Sequence, residues 1–398
     1  MTATTFRSVL AEREYRAVWA AQLVSIAGDQ FARIAVSVLV YQRTRSPLLA
    51  AAAFAATVLA SFAGGLLLGW VADRYPKRAV MVTSDVACTG IVLIMAIPGV
   101  PLWALLALLG VVSLAFQPFL AARMATNREI LGKDRFQAGV AITTSTYQVG
   151  QLIGYSLGGV ITAVAGVHVA LLIDAASFAT SAVLIRAWVR PRPPEEPAAR
   201  LERPGLWDGV RQVFSSPVAR TALALMCMAA FFVVPEGVSV PLAHQLGGGA
   251  ATAGLLLAAM TAGAAAGLLG WTRLVPPGTL SQFAALLALT ACAMLVPFAF
   301  SPPLGPALAL LAASGIYAGY IPSVASSLFG AVPAEHRGKV SGVVGAGMDL
   351  GQGVMILVAG AVAQRLSASV TIAIIGAAGT VVAVPLALAW RRVSSLAH

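Results

Sequence analysis

Charge is scarce in this chain. Only 10% of its 398 residues are Asp, Glu, Lys or Arg, against about 25% in an average soluble domain. So few charges cannot wet the surface of a soluble protein of this length, which excludes a cytosolic enzyme and a disordered regulator. Cysteine is scarce too. Cys88, Cys227 and Cys292 each lie inside an apolar run without metal-ligand spacing, so they read as small core residues and a secreted disulfide scaffold is excluded. The four histidines, His168, His244, His336 and His398, fall at expected loops or the terminus and build no catalytic constellation. A Gly-x4-Gly-Lys-Ser/Thr cradle for nucleotide phosphates is also missing, which argues against an ATP-driven pump. The expectation is a non-enzyme with no catalytic residue, no cofactor and no metal.

What is abundant is apolar: 59% of the residues are hydrophobic. A helix that crosses a bilayer needs about 20 mostly apolar residues. Twelve such runs occur, at 17–42, 48–72, 79–98, 101–122, 137–165, 168–189, 219–246, 250–272, 280–300, 304–329, 339–364 and 368–390, here called spans one to twelve. They are Ala/Leu/Val/Gly-rich without strict alternation of polar and apolar residues, so helices are expected and a β-barrel is not. Ser46-Pro47, Tyr75-Pro76, Pro98-Gly99-Val100-Pro101, Gly247-Gly248-Gly249, Pro276-Pro277-Gly278 and Pro302-Pro303 mark breaks between them. Residues 1–16 are polar and charged and the first apolar run is long enough to span, so no cleavable leader is expected.

The chain has 26 basic and 15 acidic residues, a net charge of +11. With both termini placed in the cytoplasm, 22 of the 26 basic residues fall on that side, leaving Arg43, Arg45 and Arg365 outside and Arg33 inside span one. That is the asymmetry of an even number of spans in a cell membrane, inner or plasma. The basic charge therefore reports orientation and contact with anionic lipid, not nucleic acid.

Shifting the sequence by 201 residues brings Leu67-Leu68-Gly69-Trp70 onto Leu268-Leu269-Gly270-Trp271, Gly150-Gln151 onto Gly351-Gln352, Asp134 onto Glu335 and Gly159 onto Gly360. The only long polar stretch, 190–218, falls between the two halves. The expected organisation is a bundle over 1–189, a cytoplasmic connector over 190–218 and a second bundle over 219–398. This is an all-α integral membrane fold of two pseudo-symmetric six-helix bundles with a site between them near the midplane.

After span two the chain reads Gly69-Trp70-Val71-Ala72-Asp73-Arg74-Tyr75-Pro76-Lys77-Arg78. This resembles the loop signature of the major facilitator superfamily, with Pro76 where that family usually has Gly. The resemblance covers the whole chain: twelve spans, the repeat, and a degenerate copy at Gly270-Trp271 that keeps Arg273 but lacks the acid. It implies the major facilitator fold, alternating access, usually a monomer, and a cytoplasmic gating motif of Gly69, Asp73, Arg74, Lys77 and Arg78. Asp73 would then sit by the start of span eleven and pair with Arg123. The alternative for the basic residues is that they only signal topology, which suffices for Lys77. Span five, Gly150-Gln151-Leu152-Ile153-Gly154-Tyr155-Ser156-Leu157-Gly158-Gly159, looks like the antiporter signature of the drug-efflux branches, with Tyr155 in place of the proline and hence less bending. Independently of any family, Gly150, Gly154 and Gly158 share one helix face and let a neighbour approach closely. Gly28-Asp29, Thr44-Arg45-Ser46-Pro47 and Leu172 to Phe178 look like the macrolide- and siderophore-exporter branch.

A charge near the membrane centre costs at least roughly 2.5–3.5 kcal/mol, so each one needs a reason. Asp29 and Arg33, four apart on one face, form either a self-neutralising pair or a carboxylate that exchanges a proton. Glu236 follows Pro235 in span seven, where a helix break is expected. Asp349 is the repeat equivalent of Gln148, and Gln148/Gln151 and Asp349/Gln352 are matching polar faces. Asp29, Glu236 and Asp349 are the proton-coupling candidates. Substrate-cavity candidates are Gln30, Arg33, Gln117, Tyr147, Gln148, Gln151, Phe232, Tyr317, Tyr320 and Gln352, with Phe31 beside them. Asp85 is expected to cap a helix or pair with nearby basic residues, and Asp174 to be structural. The functional expectation is a secondary transporter exporting a small amphipathic drug, siderophore or metabolite in exchange for protons, with substrate, protons and membrane lipid as its partners. A facilitator or importer on the same fold is the alternative, and a non-transporting receptor or scaffold a distant third.

Overall fold

The computed structural model describes residues 6–192 and 206–394. Connector positions 193–205, including Arg200 and Arg203, and the terminal His398 lie outside the described residues. Among the described residues the chain is helical, without a strand. Eleven helices are long and apolar enough to cross a membrane. The expected span five is helical as well, but Thr143, Thr144, Thr146, Tyr147, Gln148 and Gln151 make it the most polar of the set. It follows span four within one 63-residue stretch, Leu102–Val164, interrupted at Gly132, whose φ of 63° and ψ of 179° no other residue type adopts cheaply. No break occurs at Tyr155, as expected where the proline is missing.

Proline sets many of the boundaries. Pro47 is the first residue of helix Pro47–Leu68, and Pro76, Pro101 and Pro303 directly precede helices Lys77–Met95, Leu102–Val164 and Leu304–Ala318. A helix start wastes no hydrogen bond on a residue without an N–H. Span seven is split into Pro217–Cys227, Ala229–Phe232 and Val234–Gln245. Pro235 cannot donate to the preceding turn, and the Glu236 N–H instead bonds the Val233 carbonyl at 2.9 Å. The break lies one to two turns earlier than Glu236, which sits on the first turn of the last piece.

Two compact units result. One comprises residues 1–44, 56–199 and 249–254; the other comprises 45–55, 200–248 and 255–398. In the first, span one runs along span five. Tyr15 Oη donates to the Gly139 carbonyl at 3.0 Å and Trp19 Nε1 to Thr146 Oγ1 at 2.7 Å. Beyond them the glycine face closes the contact: a methyl group on Gly150, Gly154 or Gly158 would lie within 2.9 Å of Ile26, Gln30 or Phe31. Gly159 meets residues 250–254, where its added methyl would be 2.9 Å from the Gly254 Cα.

In the second unit spans eight and ten cross backbone to backbone. A methyl on Gly263 would be 2.9 Å from the Ala312 Cα, and one on Gly267 2.8 Å from the Ile316 Cα. Gly315 and Gly319 are matched in the same way against Ala264 and Gly267. Gly360 meets the start of span two, 2.6 Å from Ala51 Cβ and 3.0 Å from Leu48 Cα by the same construction. Gly159 and Gly360 are related by the 201-residue shift, and so are the segments they touch. The repeat therefore governs packing, not only residue identity. Within the connector, helix Leu206–Ser215 lies on the start of span eleven, with Lys339 Nζ 3.1 Å from Asp208 Oδ2.

Candidate functional site

The intramembrane charges of the first unit gather on one side of span one. Asp29 Oδ2 and Arg33 Nη2 are 2.9 Å apart, with 22% and 15% of the respective side chains exposed. The predicted i,i+4 pair is formed. Gly28, one residue earlier, leaves room for span six: a methyl there would be 2.7 Å from Asp174 Oδ1. Asp174 is fully buried and takes a 3.3 Å hydrogen bond from Ser177, while its Oδ2 has no partner among the described residues. Asp85 is fully buried too, and Ser181 donates to its Oδ2 at 2.6 Å. This corrects the expectation that Asp85 caps a helix or pairs with basic residues: its partner is a hydroxyl from span six. Asp85 depends on a serine one helix away, Ser181 of span six, whereas Asp174 is met within span six itself by Ser177, three residues on.

The remaining sequence candidates of this unit divide by exposure. Tyr147 and Gln151 are one turn apart on span five, with Gln151 Nε2 donating to the Tyr147 hydroxyl at 3.2 Å, and Tyr147 is exposed. Gln148 is half-buried beside them. These three keep polar atoms at the surface of the helix. Gln30 and Phe31 are buried in the crossing with span five, and Gln117 packs on span two, where a methyl on Gly64 would be 2.6 Å from its Cγ. Those three serve packing in this structure.

In the second unit Glu236, Asp349 and Gln352 are half-buried on spans seven and eleven. Phe232 is buried directly before the break in span seven. Tyr317 is half-buried and leans on Trp271, ring centroids 6.4 Å apart. Tyr320 is fully buried, its hydroxyl donating to the Leu225 carbonyl at 2.7 Å, which ties span ten to span seven and leaves no surface for a ligand. The three cysteines are free, with Cys88 and Cys292 buried as small core residues.

The signature loop breaks the helix at Gly69-Trp70, between Pro47–Leu68 and Val71–Arg74. Asp73 and Arg74 are exposed. Lys77 is buried and ion-paired to Glu129, which goes beyond a topology signal. Arg78 donates to the Arg186 carbonyl. Arg123 points inside the bundle, where its electrostatic neighbours are Tyr15 and Tyr147 and its Nε has no partner among the described residues. The expected Asp73–Arg123 pair is not formed. Arg192, from the start of the connector, grips Glu14 with two bonds of 2.6 and 2.8 Å and reaches Glu129 at 3.5 Å. The bond to Glu14 raises the already high pKa of Arg192. The Arg190 N–H adds a third tie to Glu14 at 2.9 Å.

Sequence reasoning missed Glu14, Glu129 and Arg192. The available signal was an acid embedded in each cluster of cations, the same signal that singled out Asp73. Arg192→Ala is expected to lower stability by about 1–2 kcal/mol, since it orphans a largely buried carboxylate at a partly exposed site. Arg192→Lys is expected to recover only part of this, because a point charge cannot replace a two-pronged fork. Thermal unfolding in detergent, with the two variants in parallel, measures both.

The family model of the Major Facilitator Superfamily matches residues 18–301. The multidrug efflux pump Tap of Mycobacterium tuberculosis is 27% identical over 350 residues, covering 81% of this chain and 81% of that protein. The enterobactin exporter EntS of Citrobacter koseri is 30% identical over 275 residues, covering 67% of this chain and 65% of that one. A POT family transporter, crystallised with a thioalcohol-conjugated peptide, has a TM-score of 0.77 at 11% identity, with 96% of both chains covered. A bacterial homologue of the human lysosomal transporter Spinster has a TM-score of 0.72 at 13% identity, covering 99% of this chain and 98% of that one. At such identities the two structures speak for the fold alone. With its spans, its internal repeat and a match over most of its length, the chain is a multi-pass membrane transporter and belongs to the Major Facilitator Superfamily.

Proposed function

We propose that this protein is a secondary transporter that exports a small amphipathic molecule by alternating access, driven by inward proton flow. The observation that carries the reading is the Asp29–Arg33 pair held inside the first unit, in a chain similar over 81% of its length to a protein named as a multidrug efflux pump. A carboxylate beside an arginine has two well-defined states. Deprotonated, it neutralises the guanidinium; protonated, it releases that charge to the cavity. Either state alters the desolvation cost of reorienting the site, which is what couples a proton to a conformational change.

Asp29, Glu236 and Asp349 are proposed as the titrating groups. Tyr147, Gln148, Gln151, Tyr317 and Gln352 are proposed to contact substrate with Arg33, and Gly69 to Arg78 to gate the cytoplasmic side. The bundles over 1–189 and 219–398 are proposed as the moving bodies, the connector over 190–218 and both termini as cytoplasmic, the location as the plasma membrane, and the working unit as a monomer.

Proteoliposomes with an imposed pH gradient test this directly. Uptake of a cationic fluorescent drug into inside-out oriented vesicles is expected only when the lumen is acidic, and proton efflux should accompany it. Equal transport in the absence of a gradient would make the protein a facilitator, and drug movement in the same direction as the proton would make it an importer.

A further inference from the structure

At the basic end of the first unit, span one begins and span six ends beside an open cleft of about 520 Å³ lined by Arg13, Arg16, Ala17, Leu184 and Trp188. Arg13 and Arg16 are one turn apart on the same helix face, both exposed, and neither has an acidic partner among the described residues. Glu14 stands between them in sequence but is turned away and buried, consumed by Arg192 and the Arg190 N–H. Trp188 is the last residue of its helix and 58% exposed, the place and posture of an aromatic at a membrane–water boundary. Two unneutralised guanidiniums therefore face an apolar wall just where the apolar helices start.

We infer that this cleft binds the headgroup of an anionic glycerophospholipid, phosphate on Arg13 and Arg16 and the first part of an acyl chain along Ala17, Leu184 and Trp188. A guanidinium fork matches a phosphodiester in geometry and charge. The apolar side of the cleft distinguishes a lipid from free phosphate, which would leave Leu184 and Trp188 without a role. Cytoplasm-facing basic pockets between membrane helices are suited to such headgroups, because the local surface potential already concentrates them. The cleft joins the first turns of span one to the last turn of span six, beside the Arg192–Glu14 tie, so an occupied site would brace that end of the bundle.

The test is thermal unfolding and native mass spectrometry of purified full-length protein with added phosphatidylglycerol, phosphatidylcholine or inorganic phosphate. Phosphatidylglycerol is expected to raise the Tm by several degrees and to remain bound in the gas phase, while the other two do neither at equal concentration. Arg13→Ala/Arg16→Ala is expected to weaken the phosphatidylglycerol effect at least tenfold. Arg211→Ala/Arg220→Ala, which removes the same charge from other exposed positions, is expected to leave it unchanged. If the double variant loses stability without lipid, Arg13→Gln and Arg16→Gln singly, scored by the lipid-dependent increment alone, serve instead. Equal loss in both pairs of variants, an effect of inorganic phosphate matching that of the lipid, or full retention in Arg13→Ala/Arg16→Ala overturns the proposal.

Discussion

Asp29→Asn is expected to reduce pH-gradient-driven transport at least ~100-fold while leaving a folded protein with a Tm a few degrees lower. Two effects combine. The first is structural: Arg33, with 15% of its side chain exposed, loses the carboxylate 2.9 Å away. Removing one partner of a deeply buried pair costs about 3–5 kcal/mol. Asp29 keeps 22% of its surface, so about 1–3 kcal/mol is the appropriate scale here. The second is functional, because an amide cannot take up and release a proton.

Asp29→Asn/Arg33→Gln separates the two. With both charges gone the stability is expected to return, since the guanidinium that lost its carboxylate is removed as well, whereas coupling stays lost. Proton flux and drug flux in the same vesicles, read for wild type and both variants, give the answer. If the double variant regains gradient-driven transport, the pair is a structural neutralisation and the titrating group lies elsewhere, with Glu236 and Asp349 next in line.

The second large effect is expected from Gly263→Leu. At this crossing spans eight and ten meet through bare backbone, and an added methyl would already be 2.9 Å from the Ala312 Cα. A flexible side chain moves aside; a helix backbone does not. Separating the helices also forfeits the contacts of Gly267, Gly315 and Gly319, so the expected loss is about 3 kcal/mol or more. The practical signature is poor monodispersity on size exclusion and a Tm lower by roughly 5–10 °C. Gly270→Ala is the matched control: it lies in the same helix, Ala250–Leu274, and its methyl would meet nothing within 4 Å. There the change is expected to be neutral or slightly stabilising, since alanine restricts the unfolded chain. Equal damage from both substitutions would mean that the backbone freedom of glycine, not close approach, is what this helix requires.

Much of the architecture was written in local terms. A membrane helix advertises itself because about 20 consecutive residues must each be compatible with lipid. The glycine face of span five was legible for a similar reason: three residues at a spacing of four can only share a face, and whatever packs there must come close. The partner, Ile26, Gln30 and Phe31 of span one, was not legible. Lys77 shows the limit most clearly. As a cation in a basic loop it was fully accounted for by topology, yet it is buried against Glu129, 52 residues away. Arg123 errs the other way, since the loop acid nearest in the motif is not what surrounds it. Asp85, expected to cap a helix or pair with nearby basic residues, instead meets Ser181, 96 residues on.

By itself the sequence determined that the chain is helical and crosses the membrane many times, which stretches are basic, and that an acid and an arginine four residues apart share one helix face. Each of these depends on composition or on spacing within a single helix. Only the tertiary structure decided which polar groups satisfy which: Ser181 on Asp85, Arg192 on Glu14, Tyr320 on Leu225, and a cleft where Arg13 and Arg16 stand without an acid among the described residues. The reason is physical. In a chain this apolar every helix face looks acceptable to lipid, so the choice among faces rests on a few polar atoms whose partners come from other helices, and those meetings exist only once the helices have packed.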